Sequence, residues 1–218
     1  MIVWKIIVCL VLGYGFGCIS TGYLVGKKQN VDIRKYGSGN VGTTNALRTL
    51  GKKAALITLL GDIIKCVIPV LLVKLVLFRS VPEISLLGLY TALGTVLGHN
   101  FPFYLHFKGG KGIAVLVGTI MTFDWRIFLI CIVTFFVVLA VTRYVSLGSL
   151  IMEVEFVVYV ALTRQGDWHM LIVSSLFAVL AFYTHRQNIK RLLTGTENKI
   201  GKKVNISETR SVDASEEK

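Results

Sequence analysis

The residues most able to do chemistry in this chain lie in one short polar segment, Gly37-Ser38-Gly39-Asn40-Val41-Gly42-Thr43-Thr44-Asn45-Ala46-Leu47-Arg48. Three glycines let backbone N–H groups converge without Cβ obstruction. Ser38, Asn40, Thr43, Thr44 and Asn45 add neutral donors, and Arg48 brings a bidentate cationic fork. That is the composition of a phosphate cradle, although a flexible linker between apolar runs has the same residues. No strand precedes it and the Gly-Lys-Ser/Thr ending of a nucleotide-binding P-loop is missing, so neither familiar glycine motif applies.

Three further polar groupings lie downstream. His99-Asn100-Phe101-Pro102 leads to Lys108-Gly109-Gly110-Lys111-Gly112, where flexible backbone and two ammonium groups suit a phosphate or, equally, a snorkelling anchor at a membrane surface. Arg143 to Ser149 follows, with Ser146 and Ser149 as hydroxyl donors. Last come His185-Arg186-Gln187-Asn188, with Glu197 beyond. His185 and Asn188 lie one turn apart if the final helix continues, as a site pair or as a hydrogen-bonded interfacial pair. None of the four histidines has an aspartate five residues on, which excludes the H-x-x-x-x-D acyltransferase pattern. G-x-S-x-G and H-E-x-x-H are also absent, against a lipase elbow or a zincin. Acid–base chemistry is sparse, as though the substrate arrived already activated.

The elements that must hold these groups are membrane helices. The chain is 54% hydrophobic with three prolines and a mean hydropathy of +0.68, beyond the range of ordinary soluble domains. Its net charge of +12 would suggest nucleic acid in a soluble chain. Here the cations cluster between apolar runs, as anionic lipid and the positive-inside rule require, and no nucleic-acid partner is expected. Cys9, Cys18, Cys66 and Cys131 sit inside apolar runs and form no C-x-x-C pair, so they read as small buried hydrophobes without disulfide or zinc.

Apolar segments predict an all-α polytopic membrane protein of about seven spans. They are Ile2 to Val25, Ala54 to Phe78, a third ending at Gly98, Ile113 to Phe123, Ile127 to Val141, a sixth reaching about Leu162, and His169 to Tyr183. The first exceeds a signal-peptide core and no cleavage pattern follows. Gly13, Gly15 and Gly17 suggest close helix packing. Asp62 and Lys65 share a helix face, as a structural or a functional pair. The Ile113 and Ile127 runs are short, yet reading them as one broken helix would send the basic tail outside. Two passes therefore fit better. The N-terminus is then outside, the C-terminus cytoplasmic, and all four polar groupings fall on the cytoplasmic side. Residues 1–200 read as one domain and 201–218 as a disordered tail. A transporter for phosphorylated metabolites would predict two similar halves, and no internal repeat is present.

The motifs together, Gly-Ser-Gly-Asn-Val-Gly-x-Thr-Asn-x-x-Arg, Gly-His-Asn-Phe-Pro, Lys-Gly-Gly-Lys-Gly, Arg-Tyr-x-Ser-Leu-x-Ser and His-x-x-Asn-Ile-x-Arg-Leu with Gly-Thr-Glu, run from about Gly22 to Lys199. The sequence resembles the bacterial acyl-phosphate-dependent glycerol-3-phosphate acyltransferases. That resemblance implies a seven-helix inner-membrane enzyme with its active site facing the cytoplasm. It would move a fatty acyl group from acyl phosphate to the 1-position of sn-glycerol 3-phosphate, giving lysophosphatidic acid at the first acylation of phospholipid synthesis. It also implies a long-chain acyl phosphate donor supplied by a separate soluble phosphate acyltransferase, with no cofactor and no metal. Carried over by motif position, Ser38, Arg48, His185 and Asn188 are catalytic. Asn40, Thr44, Asn45, Lys108, Gly109, Gly110, Lys111, Gly112, Ser146 and Ser149 bind substrate, and Glu197 holds the tail. Thr43, Ser20-Thr21 and Cys66 depart from the family's usual alanine, Pro-Phe and glycine.

Overall fold

The computed structural model describes residues 2–201. Apart from Gly201, the expected disordered tail over 201–218 lies outside the described residues. Ten α-helices follow in chain order: α1 Val3–Gly17, α2 Thr21–Lys28, α3 Thr43–Thr49, α4 Lys52–Leu72, α5 Ile84–Asn100, α6 Ile113–Phe123, α7 Trp125–Thr142, α8 Val145–Thr163, α9 Trp168–Thr184 and α10 Arg186–Leu193. Their ends follow local chemistry. The Asp124 and Asp167 side chains cap α7 and α9 by accepting the N–H of Arg126 and Met170 at 2.9 Å. Gly51, with φ +89°, turns the chain from α3 into α4. Pro69 lies inside α4 and has no N–H for the Lys65 carbonyl, and the helix ends in a π-helical turn over Val73–Leu77.

Helix α5 is the centre of the bundle, buried along most of its length. α1 approaches it backbone to backbone. A Cβ on Gly13 or Gly17 would fall on the main chain of Thr91 or Thr95, and one on Gly94 or Gly98 on that of Leu10 or Tyr14. Two pairs of glycines four residues apart thus interlock, the usual device where lipid supplies no hydrophobic drive between helices. Gly15 meets nothing within 4 Å, so only Gly13 and Gly17 of the three expected glycines pack this way. The main core joins α4, α5, α6, α8 and α9 through Leu93, Leu116, Phe156 and Phe177. α7 buries only Ile127 and Cys131 and turns Val133, Phe136 and Val141 outward, as a helix facing lipid would.

The seven expected spans are corrected by helix length. Among the described residues four helices are long and apolar enough to cross: Val3–Lys28 counted through its break, Lys52–Leu77, Trp125–Thr142 and Val145–Thr163. The pair α9 and α10, bent by 64°, makes up to five if counted as one span. α5 and α9 have 17 residues each and α6 only 11, and 11 residues rise about 17 Å against a hydrocarbon core of about 30 Å. The first apolar run is also interrupted, at Cys18 to Ser20, rather than continuous. The sixth run is longer than expected. α8 starts at Val145, so Ser146 and Ser149 belong to its first turns instead of to a polar knot before it.

Candidate active site

The first cradle is half loop and half helix. Gly37 and Gly39 have φ of +65° and +69°, the left-handed region that glycine tolerates, and the chain then enters α3 at Gly42. Asn45 is buried beneath it. Its amide N–H groups point to the carbonyls of Asn40, Tyr36 and Ile33 at 2.8, 3.0 and 3.2 Å, and its carbonyl accepts the Ser38 N–H at 2.9 Å. Asn40 accepts the Gly42 N–H at 2.9 Å and donates to the Gly109 carbonyl at 3.5 Å. Both amides therefore brace the loop. The Ser38 and Thr44 hydroxyls make no hydrogen bond among the described residues. Ile33, Val41, Ala46 and Ala55 form a small apolar floor that fixes this segment to α4.

The second cradle closes on the end of α5. Gly109 and Gly110 donate their N–H groups to the carbonyls of Asn100 and His99, each at 3.0 Å, so these two amides pin the loop rather than face outward. Gly112, with φ +90°, starts α6. The Asn100 amide is buried beside Gly112, with neither of its polar atoms partnered among the described residues. Lys108 is exposed, whereas Lys111 turns inward and donates to Asn188 Oδ1. Burial lowers the Lys111 ammonium to about 8, with Arg191 and Arg48 adding to the effect and Glu197 opposing it.

Glu197 is the hub of the third part. One carboxylate oxygen accepts Asn188 Nδ2 at 2.7 Å and Ser146 Oγ at 3.1 Å, and the other accepts Arg191 Nε at 2.8 Å. Arg48 Nη2 reaches the neighbouring Asn198 carbonyl at 3.4 Å. The final helix does not continue: His185 is the bend between α9 and α10, at the N-cap position of the latter but with no capping hydrogen bond from its side chain. His185 and Asn188 still lie together, 3% and 7% exposed. Burial, helped by Lys111, pushes the His185 imidazole down to about 4. Its Nδ1 lies 2.9 Å from the Ala181 carbonyl, which requires Nδ1–H there and leaves the Nε2 lone pair free.

Arg48, Lys111 and Arg191 thus surround a single carboxylate at one end of the bundle. The structure gathers Arg48, Lys111, Ser146, His185, Asn188 and Glu197 there, and Asn40 joins the two cradles. Ser149 is turned aside, its hydroxyl donating to the Val145 carbonyl at 2.9 Å. Arg191 and Asn100 fall within the sequence motifs without an expected site role. Arg191 had a readable signal, since it continues the three-residue spacing of His185 and Asn188. Asn100 stands in the His99-Asn100-Phe101-Pro102 grouping, but only the folded loop shows its amide without a partner among the described residues. Of the departures from the family pattern, Ser20 Oγ and Thr43 Oγ1 are buried without a partner among the described residues, and Cys66 packs against Gly118 and Thr119.

These features define an all-helical integral membrane protein whose cation-rich, amide-braced site suits phosphate esters. The family model for glycerol-3-phosphate acyltransferase matches residues 7–195, and the chain belongs to that family. The glycerol-3-phosphate acyltransferase of Clostridioides difficile (strain 630) is 41% identical over 204 residues, 93% of this chain and 99% of that one. That of Bacillus subtilis (strain 168) is 37% identical over 192 residues, 88% of this chain and 95% of its relative. The fold is similar to crystal structures of PlsY (YgiH), an integral membrane glycerol 3-phosphate acyltransferase. Its glycerol 3-phosphate form has a TM-score of 0.81 at 33% identity, covering 90% of this chain and 96% of that one. Its lysophosphatidic acid form gives 0.79 at 32% identity, with the same coverage.

Proposed function

We propose that the protein transfers a fatty acyl group from acyl phosphate to the 1-hydroxyl of sn-glycerol 3-phosphate, releasing lysophosphatidic acid and inorganic phosphate. The observation that carries this reading is the meeting of Arg48, Lys111 and Arg191 around the lone Glu197 carboxylate, beside a neutral His185. Two phosphate-bearing substrates repel each other, and an excess of fixed cations offsets that repulsion while orienting both. An acyl phosphate is a mixed anhydride with phosphate as leaving group, so no acyl-enzyme is needed. The glycerol oxygen bonds to the carbonyl carbon, the bond from that carbon to the phosphate oxygen breaks, and the proton passes to a phosphate oxygen of the donor.

His185 is a weak base at neutral pH, and its Nε2 lone pair orients the hydroxyl instead of removing the proton. Ser38 and Thr44 supply hydroxyl donors at the first cradle, and Lys108 extends the positive rim of the second. The acyl chain lies in the groove of about 570 Å³ between α7, α8 and α9, lined by Ile127, Ile130, Leu147, Ile151 and Phe182. Leu147 is the residue next to Ser146, so this groove begins where the polar site ends. The site end faces the cytoplasm, with the N-terminus outside, and the donor comes from a soluble phosphate acyltransferase.

The test uses detergent-solubilised protein, radiolabelled glycerol 3-phosphate and either palmitoyl phosphate or palmitoyl-CoA, without added metal, beside Arg48→Ala. Labelled lysophosphatidic acid from palmitoyl phosphate alone, lost in the variant, is the expected result. Product from palmitoyl-CoA overturns the donor assignment, and no product from either overturns the reading.

A further inference from the structure

Below the second cradle lies a buried polar cluster that the transfer step does not use. Asp62 and Lys65 pair at 2.8 Å on α4, their side chains 1% and 3% exposed. The Lys65 ammonium also donates to the Ile19 carbonyl at 2.8 Å and meets His99 Nδ1 at 2.8 Å. An ammonium has hydrogens and no lone pair, so Nδ1 must accept. His99 is then the neutral imidazole with its proton on Nε2. That nitrogen faces Gly110, because a Cβ placed on Gly110 would fall on it. The main chain holds the same junction, the His99 and Asn100 carbonyls taking the Gly110 and Gly109 N–H groups.

As simple glue the cluster is a poor choice, since an apolar replacement for a buried ion pair is often neutral or stabilising. What apolar side chains cannot do is fix an imidazole tautomer and join three chain segments. Ile19 lies in the break between α1 and α2 that leads to the first cradle, and His99 lies at the end of α5 that leads to the second. Lys65 sits between these roots, and Asn40 joins the cradles above through the Gly109 carbonyl.

We propose that Lys65, held by Asp62, is a positioning residue: through the neutral His99 ring it sets the Gly109–Gly110 turn, and with it the placing of Lys111 opposite Arg48 for the glycerol-phosphate group. This rests on the function proposed above. The test compares the unmodified protein with His99→Phe and with Asp62→Asn/Lys65→Met, which removes both charges together so that neither is left buried alone. KM for glycerol 3-phosphate rises about tenfold to a hundredfold in both variants. KM for palmitoyl phosphate and the thermal midpoint stay near the unmodified values. Equal changes in both KM values, or none in a folded variant, overturn the proposal.

Nitrogen-15 NMR of labelled histidine reads the tautomer on the unmodified protein, with the His99 signals identified by their loss in His99→Phe. Nε2–H is expected, and Nδ1–H overturns the proposal even if Asp62→Asn/Lys65→Met misfolds. An unmodified protein that makes no lysophosphatidic acid refutes the functional reading instead, and the tautomer measurement still stands apart from it.

Discussion

At the scale of single residues, the site depends on which groups carry charge near neutrality. Lys111 titrates at about 8 against 10.5 for a free lysine. Between those values the unfolded chain holds more protons than the folded one, so stability rises with pH across that window. At the proposed site, phosphate binding is expected to change in the opposite sense, because the cation is lost. The expected result is a fall in kcat/KM for glycerol 3-phosphate as pH rises through about 8, measured by initial rates, and the fall shifts to higher pH in Lys111→Arg. His185, at about 4, is neutral throughout the working range, so no ascending limb near its free value of 6.5 is expected from it. His185→Gln keeps an acceptor in place, and its kcat should stay within about tenfold of the unmodified enzyme. A loss of about 10²- to 10⁴-fold would mark His185 as the general base.

At the scale of elements, the interlocked glycines of α1 and α5 set how closely these helices approach. Gly17→Ala and Gly94→Ala each place a methyl group against partner backbone that cannot turn aside, and each should destabilise by about 1–3 kcal/mol. Gly15→Ala, with open space around it, should change stability by no more than about 0.5 kcal/mol. Thermal denaturation in detergent separates the two outcomes, and equal effects at all three positions would refute the close-packing account. The sequence displayed the glycines but not which of them face a partner. Their helical phase relative to α5 is set by where the chain breaks at Cys18 to Ser20, and a hydropathy pattern carries no mark of that break. The same limit hid the start of α8, where Ser146 and Ser149 read as a polar knot although a helix can carry both.

At the scale of the whole molecule, α8 joins the site, at Ser146, to the turn at Arg164–Asp167 on the far side of the bundle. The native cysteines are all buried, so single cysteines report orientation cleanly. In intact cells, Gln165→Cys should react with a membrane-impermeant maleimide, and Lys108→Cys only after permeabilisation. The reverse pattern would overturn the proposed cytoplasmic site. Most of the polar residues that the structure gathers at one end of the bundle were legible beforehand, because charged and amide residues are rare in an apolar chain and stand out where they occur. Composition by itself determined an all-helical membrane protein, and the short motifs marked Arg48, Lys111, His185, Asn188 and Glu197. Tertiary structure decided the rest. Only packing could turn Asn40 and Asn45 inward as braces, bring Arg191 to Glu197, link Lys65 to His99 and bend the chain at His185. Each of these depends on distances between segments far apart in sequence, which are set by helix length, breaks and close backbone contact rather than by local residue type.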